Sequence, residues 1–218
     1  MASEFVALSL TPVLIAAFAG MACALPGNFL VLRKQALIGD AISHVMLPGI
    51  VVAYLISGRV TTWPMMFGAA GAAIVSVFLI EIIRRLGRIE FGAAMGVVFT
   101  AMFAAGVLLL EQSETSEVHL DVEHALFGNL EMLIWLQSDG WGSLLDLNAL
   151  AQMPPQLFRM LTVFLLICLF TYIFWRPLVL ISFDEAYART IGTQAPLIGL
   201  LLVIFAAITA VAAFDAVG

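Results

Sequence analysis

Phe5–Leu32 reads FVALSLTPVLIAAFAGMACALPGNFLVL, with no Asp, Glu, Lys, Arg or His in it. A helix crosses the bilayer core with roughly 20 mainly apolar residues. This stretch exceeds that length, and it lacks the alternating polar pattern of a membrane barrel. It reads as a retained transmembrane helix, because MASEF lacks the basic segment of a secretory signal. The same reading carries along the chain. The candidate spans are Leu8–Leu32, Ile42–Ser57, Pro64–Ile83, Phe91–Leu110, Phe158–Trp175 and Ile198–Val217. The fold class is therefore all-α: a polytopic transmembrane helical bundle in one domain, residues 1–218.

Composition agrees. Apolar residues make up 63% of the 218 residues and charged residues 11%, against roughly 25% charged in soluble domains. Mean hydropathy is +1.10. Lipid is the surrounding such a surface needs, and nothing in the chain supports nucleic-acid binding. Cys23 and Cys168 both sit in apolar runs and read as small packing residues rather than a disulfide or a metal site. Small residues recur in Gly68–Ala73 (GAAGAA) and Gly92–Gly96 (GAAMG), where helices can approach closely.

Basic residues orient the bundle. Arg33 and Lys34 follow the first span, Arg84, Arg85 and Arg88 the third, and Arg176 and Arg189 the fifth. These loops alternate correctly, so they share the cytoplasmic side and the N-terminus lies outside. The outer loops hold only Arg59 and Arg159 as cations, read as interfacial anchors, against many Asp and Glu. Residues 111–156 are extracytoplasmic or interfacial: EQSETSEVHLDVEH is polar, and the remainder mixes apolar residues with acids, Gly and Pro. Short helices at the outer face are expected there, with Trp135 and Trp141 in the interfacial belt.

Within Gly39–Gly49, GDAISHVMLPG, Asp40 and His44 stand four residues apart among apolar neighbours. That spacing puts both on one helix face, roughly 6 Å apart along the axis. An ionisable group in a membrane segment faces a pathway or a partner, and carboxylate plus imidazole suits a first-row divalent metal. The competing reading is a buried pair, hydrogen-bonded within the bundle. Ser43 is expected to bond backbone, and Pro48-Gly49 fit a bend just after the pair. A second ligand-rich run, Glu117-x-His119-x-Asp121-x-Glu123-His124, lies outside. It reads as a solvated acidic loop, or as a metal-entry funnel or docking surface that concentrates cations. Asp215 is a weaker candidate for lining the pathway.

Residues 181–193 differ from the other loops. Ser182-Phe-Asp-Glu-Ala-Tyr-Ala-Arg-Thr-Ile-Gly192 opens on a Ser/Asp cap signal and closes on a glycine. A short cytoplasmic amphipathic helix is expected, with Phe183, Ala186, Tyr187 and Ile191 as its apolar stripe and Asp184 and Glu185 in its first turn. Such a helix suits a machine driven by a cytoplasmic partner. An ion-coupled secondary metal transporter is the alternative, but internal repeats and multiple intramembrane charges, frequent in that class, are not evident. An intramembrane enzyme would need a motif such as His-Glu-x-x-His or Gly-x-Ser-x-Gly, and neither occurs. Ala212–Gly218 stops inside an apolar run, and truncation is the expectation.

LRKQALIGDAISHVMLPGI at Leu32–Ile50, MGVVFTAMFAAGVLLL at Met95–Leu110, HALFGNLE at His124–Glu131 and ISFDEAYARTIGT at Ile181–Thr193 together resemble the membrane permeases of metal-uptake ABC importers. These are the manganese, zinc and iron cluster, and the resemblance covers nearly the whole chain. It implies a multi-pass protein of the bacterial cytoplasmic (inner) membrane, with about eight helices per permease in lipid. It implies a second permease subunit, homo- or heterodimeric, and cytoplasmic ATPase subunits that use ATP, so that this chain is itself no enzyme. An extracytoplasmic metal-binding protein would deliver the cargo. Asp40 and His44 fall on the family's G-D-x-x-x-H pattern, and two copies would supply two Asp and two His as metal ligands. Mn²⁺ is the preferred cargo, with Zn²⁺ or Fe²⁺ as alternatives and no permanently bound cofactor. Phe183, Asp184, Glu185, Ala186, Tyr187 and Ile191 would form the coupling helix to the ATPase.

Overall fold

A computed structural model of the chain describes residues 2–58, 62–112, 130–135 and 140–217. Eight helices organise it: α1 (Thr11–Leu32), α2 (Ile38–Ser57), α3 (Thr62–Gly87), α4 (Phe91–Gln112), α5 (Pro155–Ile173), α6 (Trp175–Phe183), α7 (Glu185–Thr190) and α8 (Ala195–Val217). A short helix (Ala2–Phe5) and a π-helical turn (Val6–Leu10) lead into α1. Among the described residues, six helices are long and apolar enough to cross a membrane, the first counted as Val6–Leu32.

Three boundaries differ from hydropathy alone, each for a physical reason. α2 begins at Ile38, not Ile42. Asp40 sits in its first turn, where a carboxylate meets the positive end of the helix dipole. α3 runs past Ile83 to Gly87, because Arg84 and Arg85 lie on its surface and both pair with Glu81 one turn back, Arg85 at 2.6 Å and Arg84 at 3.4 Å. The fifth span breaks at Phe174, and a separate helix, α6, follows with Pro177 in its first turn, where a missing N–H costs nothing.

α8 is the hub: it touches α1, α2, α3, α5 and α6. Its sequence is apolar all round until Asp215, as expected of an enclosed helix. One core cluster joins α2, α3, α4 and α8 through Ile42, Met46, Met65, Ala69, Val98 and Leu202. A second joins the start of α1 to α5 around Trp135. Lipid gives helices no hydrophobic reason to associate, so close packing must hold them together. α2 and α3 achieve it at Gly49 and Gly68, where a Cβ on Gly49 would lie 2.2 Å from the Gly68 carbonyl oxygen. Pro48 meets Gly106 of α4 in the same way, at 2.9 Å. Gly71, Gly92 and Gly96 have nothing within 4 Å of the place a Cβ would take. Of the four glycines in the two small-residue runs, Gly68 thus builds a close contact and the other three lie open.

Trp135 is fully buried rather than interfacial. Its indole donates to the Ala149 carbonyl at 2.9 Å and its backbone N–H to Ala7 at 2.8 Å, so the ring has no polar need for the interface. Trp141 is exposed and lies 6.4 Å from the Phe5 ring.

Candidate metal pathway

α2 presents Asp40 and His44 on one open face. Both are exposed, as is Gly39, while Ile38, Ala41, Ile42 and Val45 turn inward. At 1.5 Å per residue, Asp40 lies about 3 Å and His44 about 9 Å from the start of α2. The pair therefore occupies the first third of the span, at the end carrying Arg33 and Lys34. Among the described residues no hydrogen bond or ion pair joins Asp40 to His44. The buried, mutually bonded pair is not what the fold builds. The Ser43 hydroxyl donates to the Asp40 carbonyl at 2.6 Å, a backbone bond.

The imidazole is held by α4. His44 lies 5.5 Å from the Phe99 ring and 5.7 Å from the Phe103 ring, the latter edge-on at 85°. Two aromatic rings thus flank the imidazole, and among the described residues it makes no hydrogen bond. α2 continues through Pro48 and Gly49 to Ser57. Pro48 has no N–H to give to the His44 carbonyl one turn back. Among the described residues, no group of three or more His, Cys, Asp or Glu side chains could hold a metal within one chain. His119, Asp121, Glu123 and His124, with Glu117, lie outside the described residues.

The other expected site is the loop after α5. Asp184 caps α7: its carboxylate accepts the Tyr187 N–H at 2.8 Å. Gly192 follows with φ +83, the left-handed conformation that stops a helix. Phe183 belongs to α6 rather than α7, because Asp184 adopts extended backbone between the two helices. Phe183, Ala186, Tyr187 and Ile191 are all exposed, and only Ala188 turns inward. Glu185 pairs with Arg189 along α7.

The family model described as the ABC 3 transport family matches residues 7–139 and 142–218 of the chain. The chain belongs to that family. It is 36% identical over 200 residues to the manganese transport system membrane protein MntD of Bacillus subtilis, covering 91% of this chain and 64% of that protein. It is 35% identical over 213 residues to the zinc transport system membrane protein TroD of Treponema pallidum, covering 97% and 55%. The solved structure of PsaBC from Streptococcus pneumoniae in complex with Fab has a TM-score of 0.69 with this chain, over 95% of it and 65% of that chain. Its sequence identity is 24%, so that likeness is one of fold. The chain spans less than two thirds of the length of these relatives. With six apolar helices, this ABC 3 family member is a multi-pass protein of the bacterial cell membrane.

One ionic feature of this ABC 3 chain has no local sequence signal. Arg159, at the start of α5, pairs with Asp215, near the end of α8, at 2.8 Å. Both side chains are largely buried, at 20% and 10% exposure. The guanidinium also stands 6.0 Å from the Trp63 ring. Asp215 is thus a structural partner rather than a free pathway ligand, and Arg159 is more than a snorkelling anchor. Only the presence of one opposite charge in each of two spans could have suggested the pair.

Proposed function

We propose that this chain is the permease subunit of an ATP-binding-cassette importer that carries a divalent transition metal across the cytoplasmic membrane. The observation that carries the reading is the open pair on α2. Asp40 and His44 are one oxygen and one nitrogen donor, exposed together, and among the described residues neither side chain has a hydrogen bond or an ion pair. Two donors do not complete a metal's coordination. A second permease subunit presenting the same face supplies two more, which makes a four-ligand site of paired Asp and His. The names of the relatives, manganese and zinc transport system membrane proteins, point to the cargo. Carboxylate and imidazole without thiolate make Mn²⁺ the preferred ion, ahead of Zn²⁺ and Fe²⁺.

The α6–α7 elbow is the surface on which a cytoplasmic ATPase acts, with the exposed Phe183, Tyr187 and Ile191 fitting a groove on that partner. The acidic stretch from Glu117 to His124 faces the metal-binding protein outside and raises the local cation concentration. Metal accumulation, measured ion by ion in cells carrying the whole transporter, tests this. Uptake should persist when an ionophore collapses ion gradients while ATP is maintained, and should vanish with Asp40→Asn. Uptake that stops with the gradient, at full ATP, overturns the ABC reading in favour of a secondary transporter.

A further inference from the structure

On the inner side of α2, behind Asp40, lies a small cavity of about 40 Å³. Arg33, Gln35, Glu81, Arg84 and Glu185 line it among apolar side chains. It brings together the turn before α2, the end of α3 and the first residue of α7. Arg33 is its central member. The Arg33 guanidinium donates to the Ile181 carbonyl of α6 at 3.5 Å. It lies across Gly199 of α8, where a Cβ would sit 2.7 Å from Nη2. Its Nε–H and the Gln35 Oε1 are both buried and bond to no atom among the described residues. The guanidinium therefore holds the end of α6 with one edge and keeps a donor uncommitted. Burial, with the nearby Arg84 charge, disfavours its charged form, and the neighbouring Glu185 carboxylate offsets part of that cost.

The backbone of Arg33 is as fixed as its side chain is central. Arg33, Lys34 and Gln35 N–H groups donate back into α1, to Phe29, Val31 and Leu30 at 3.1, 3.0 and 2.8 Å. Lys34 takes φ +58 to make the turn. Ile38 N–H then donates to the Gln35 carbonyl at 3.2 Å and opens α2. A pull on the guanidinium thus reaches the first turn of α2, and Asp40, through a short and rigid piece of chain.

We propose that Arg33 is the positioning residue that passes movement of the α6–α7 elbow to the Asp40 turn of α2. It rests on the function proposed above. When the ATPase shifts α7, Glu185 moves with it, and the uncommitted Arg33 donor can follow that carboxylate while another edge holds Ile181. A guanidinium suits this because its planar fork reaches two acceptors at once, which an ammonium does not do in fixed geometry.

The test uses the complete transporter and reads three quantities: ATPase retained on purification, ATP hydrolysed per metal ion moved, and the Kd for Mn²⁺. Arg33→Gln should keep the ATPase and the Mn²⁺ affinity while the ATP-to-metal ratio rises at least tenfold. Arg33→Lys should raise it several-fold. A wild-type ratio in Arg33→Gln overturns the proposal. So does loss of the ATPase or of Mn²⁺ affinity, which would make Arg33 a general support. Should Arg33→Gln fail to fold, the exchange Arg33→Glu with Glu185→Arg decides. Recovery of coupling beyond either single variant supports the transmission role, and none overturns it. A wild-type transporter that moves no metal overturns the proposed function itself, and this inference with it.

Discussion

Arg159–Asp215 and Asp40–His44 are pairs of ionisable side chains in the spans that the fold treats in opposite ways. Arg159 and Asp215 meet at 2.8 Å, largely buried, and neutralise each other within the chain. Asp40 and His44 share a face that the described residues leave uncovered. The closed pair answers its own desolvation by joining α5 to α8. The open pair finds no such answer among the described residues. Charge in a membrane helix is thus not one signal but two. What separates them is whether the partner lies in the same chain, which composition does not reveal.

The sharpest way to break this contrast is to remove the open pair. Asp40→Asn and His44→Ala should each lower metal uptake by the whole transporter at least a hundredfold. Thermal stability in detergent should move by under about 0.5 kcal/mol, as for exposed positions generally. Uptake measured with radioactive Mn²⁺ and Zn²⁺ at near wild-type rate in either variant would make the open pair ornamental.

The closed pair should show the reverse. Asp215→Asn leaves a buried guanidinium without its counter-charge, a change that typically costs about 3–5 kcal/mol. Reduced yield and melting temperature are expected, with uptake per inserted molecule nearly kept. Replacing both residues, Arg159→Met with Asp215→Leu, should recover most of the stability, because an apolar pair of similar volume needs no desolvation. A double variant as unstable as Asp215→Asn alone would mean that the pair does more than fill its place.

The contrast extends to residues without charge. Gly68→Ala puts a methyl where the Gly49 carbonyl oxygen stands 2.3 Å away. α2 and α3 must then separate, at about 1–3 kcal/mol by the usual cost of overpacking. Gly71→Ala, one turn along on the open side, meets nothing and should gain about 0.5–1 kcal/mol from helix propensity. Melting curves of the two single variants separate closed from open directly.

Open features were the more legible from sequence. The spans followed from hydropathy, Asp40 and His44 from a lone i, i+4 pair in an apolar run, and the α7 cap from Asp184 and Gly192. Each depends on residues close together in the chain. Closed features depend on residues far apart. Arg159–Asp215, Gly49–Gly68 and the burial of Trp135 against Ala7 and Ala149 leave no local pattern, so a tryptophan with an indole partner reads like an interfacial one. α6 is illegible for a different reason: Arg176-Pro177 looks like the end of a span and is also a good helix start.

α7 carries the mildest test, because it combines a closed cap with an open face. Ala186→Glu would put a charge on the exposed stripe and should lower ATPase co-purification strongly, tenfold or more. Asp184→Ala touches no exposed apolar side chain. It removes the acceptor for the Tyr187 N–H, worth about 1 kcal/mol in a capped helix. In a helix as short as Glu185–Thr190 that loss frays the element holding Tyr187 and Ile191 in register with Phe183. ATPase retention should fall about fivefold, the equivalent of 1 kcal/mol, with no change in the melting temperature of the bundle. Asp184→Asn keeps a capping oxygen and should retain the ATPase nearly as the unaltered chain does. If Asn is as damaging as Ala, the carboxylate charge matters at this position and the cap does not.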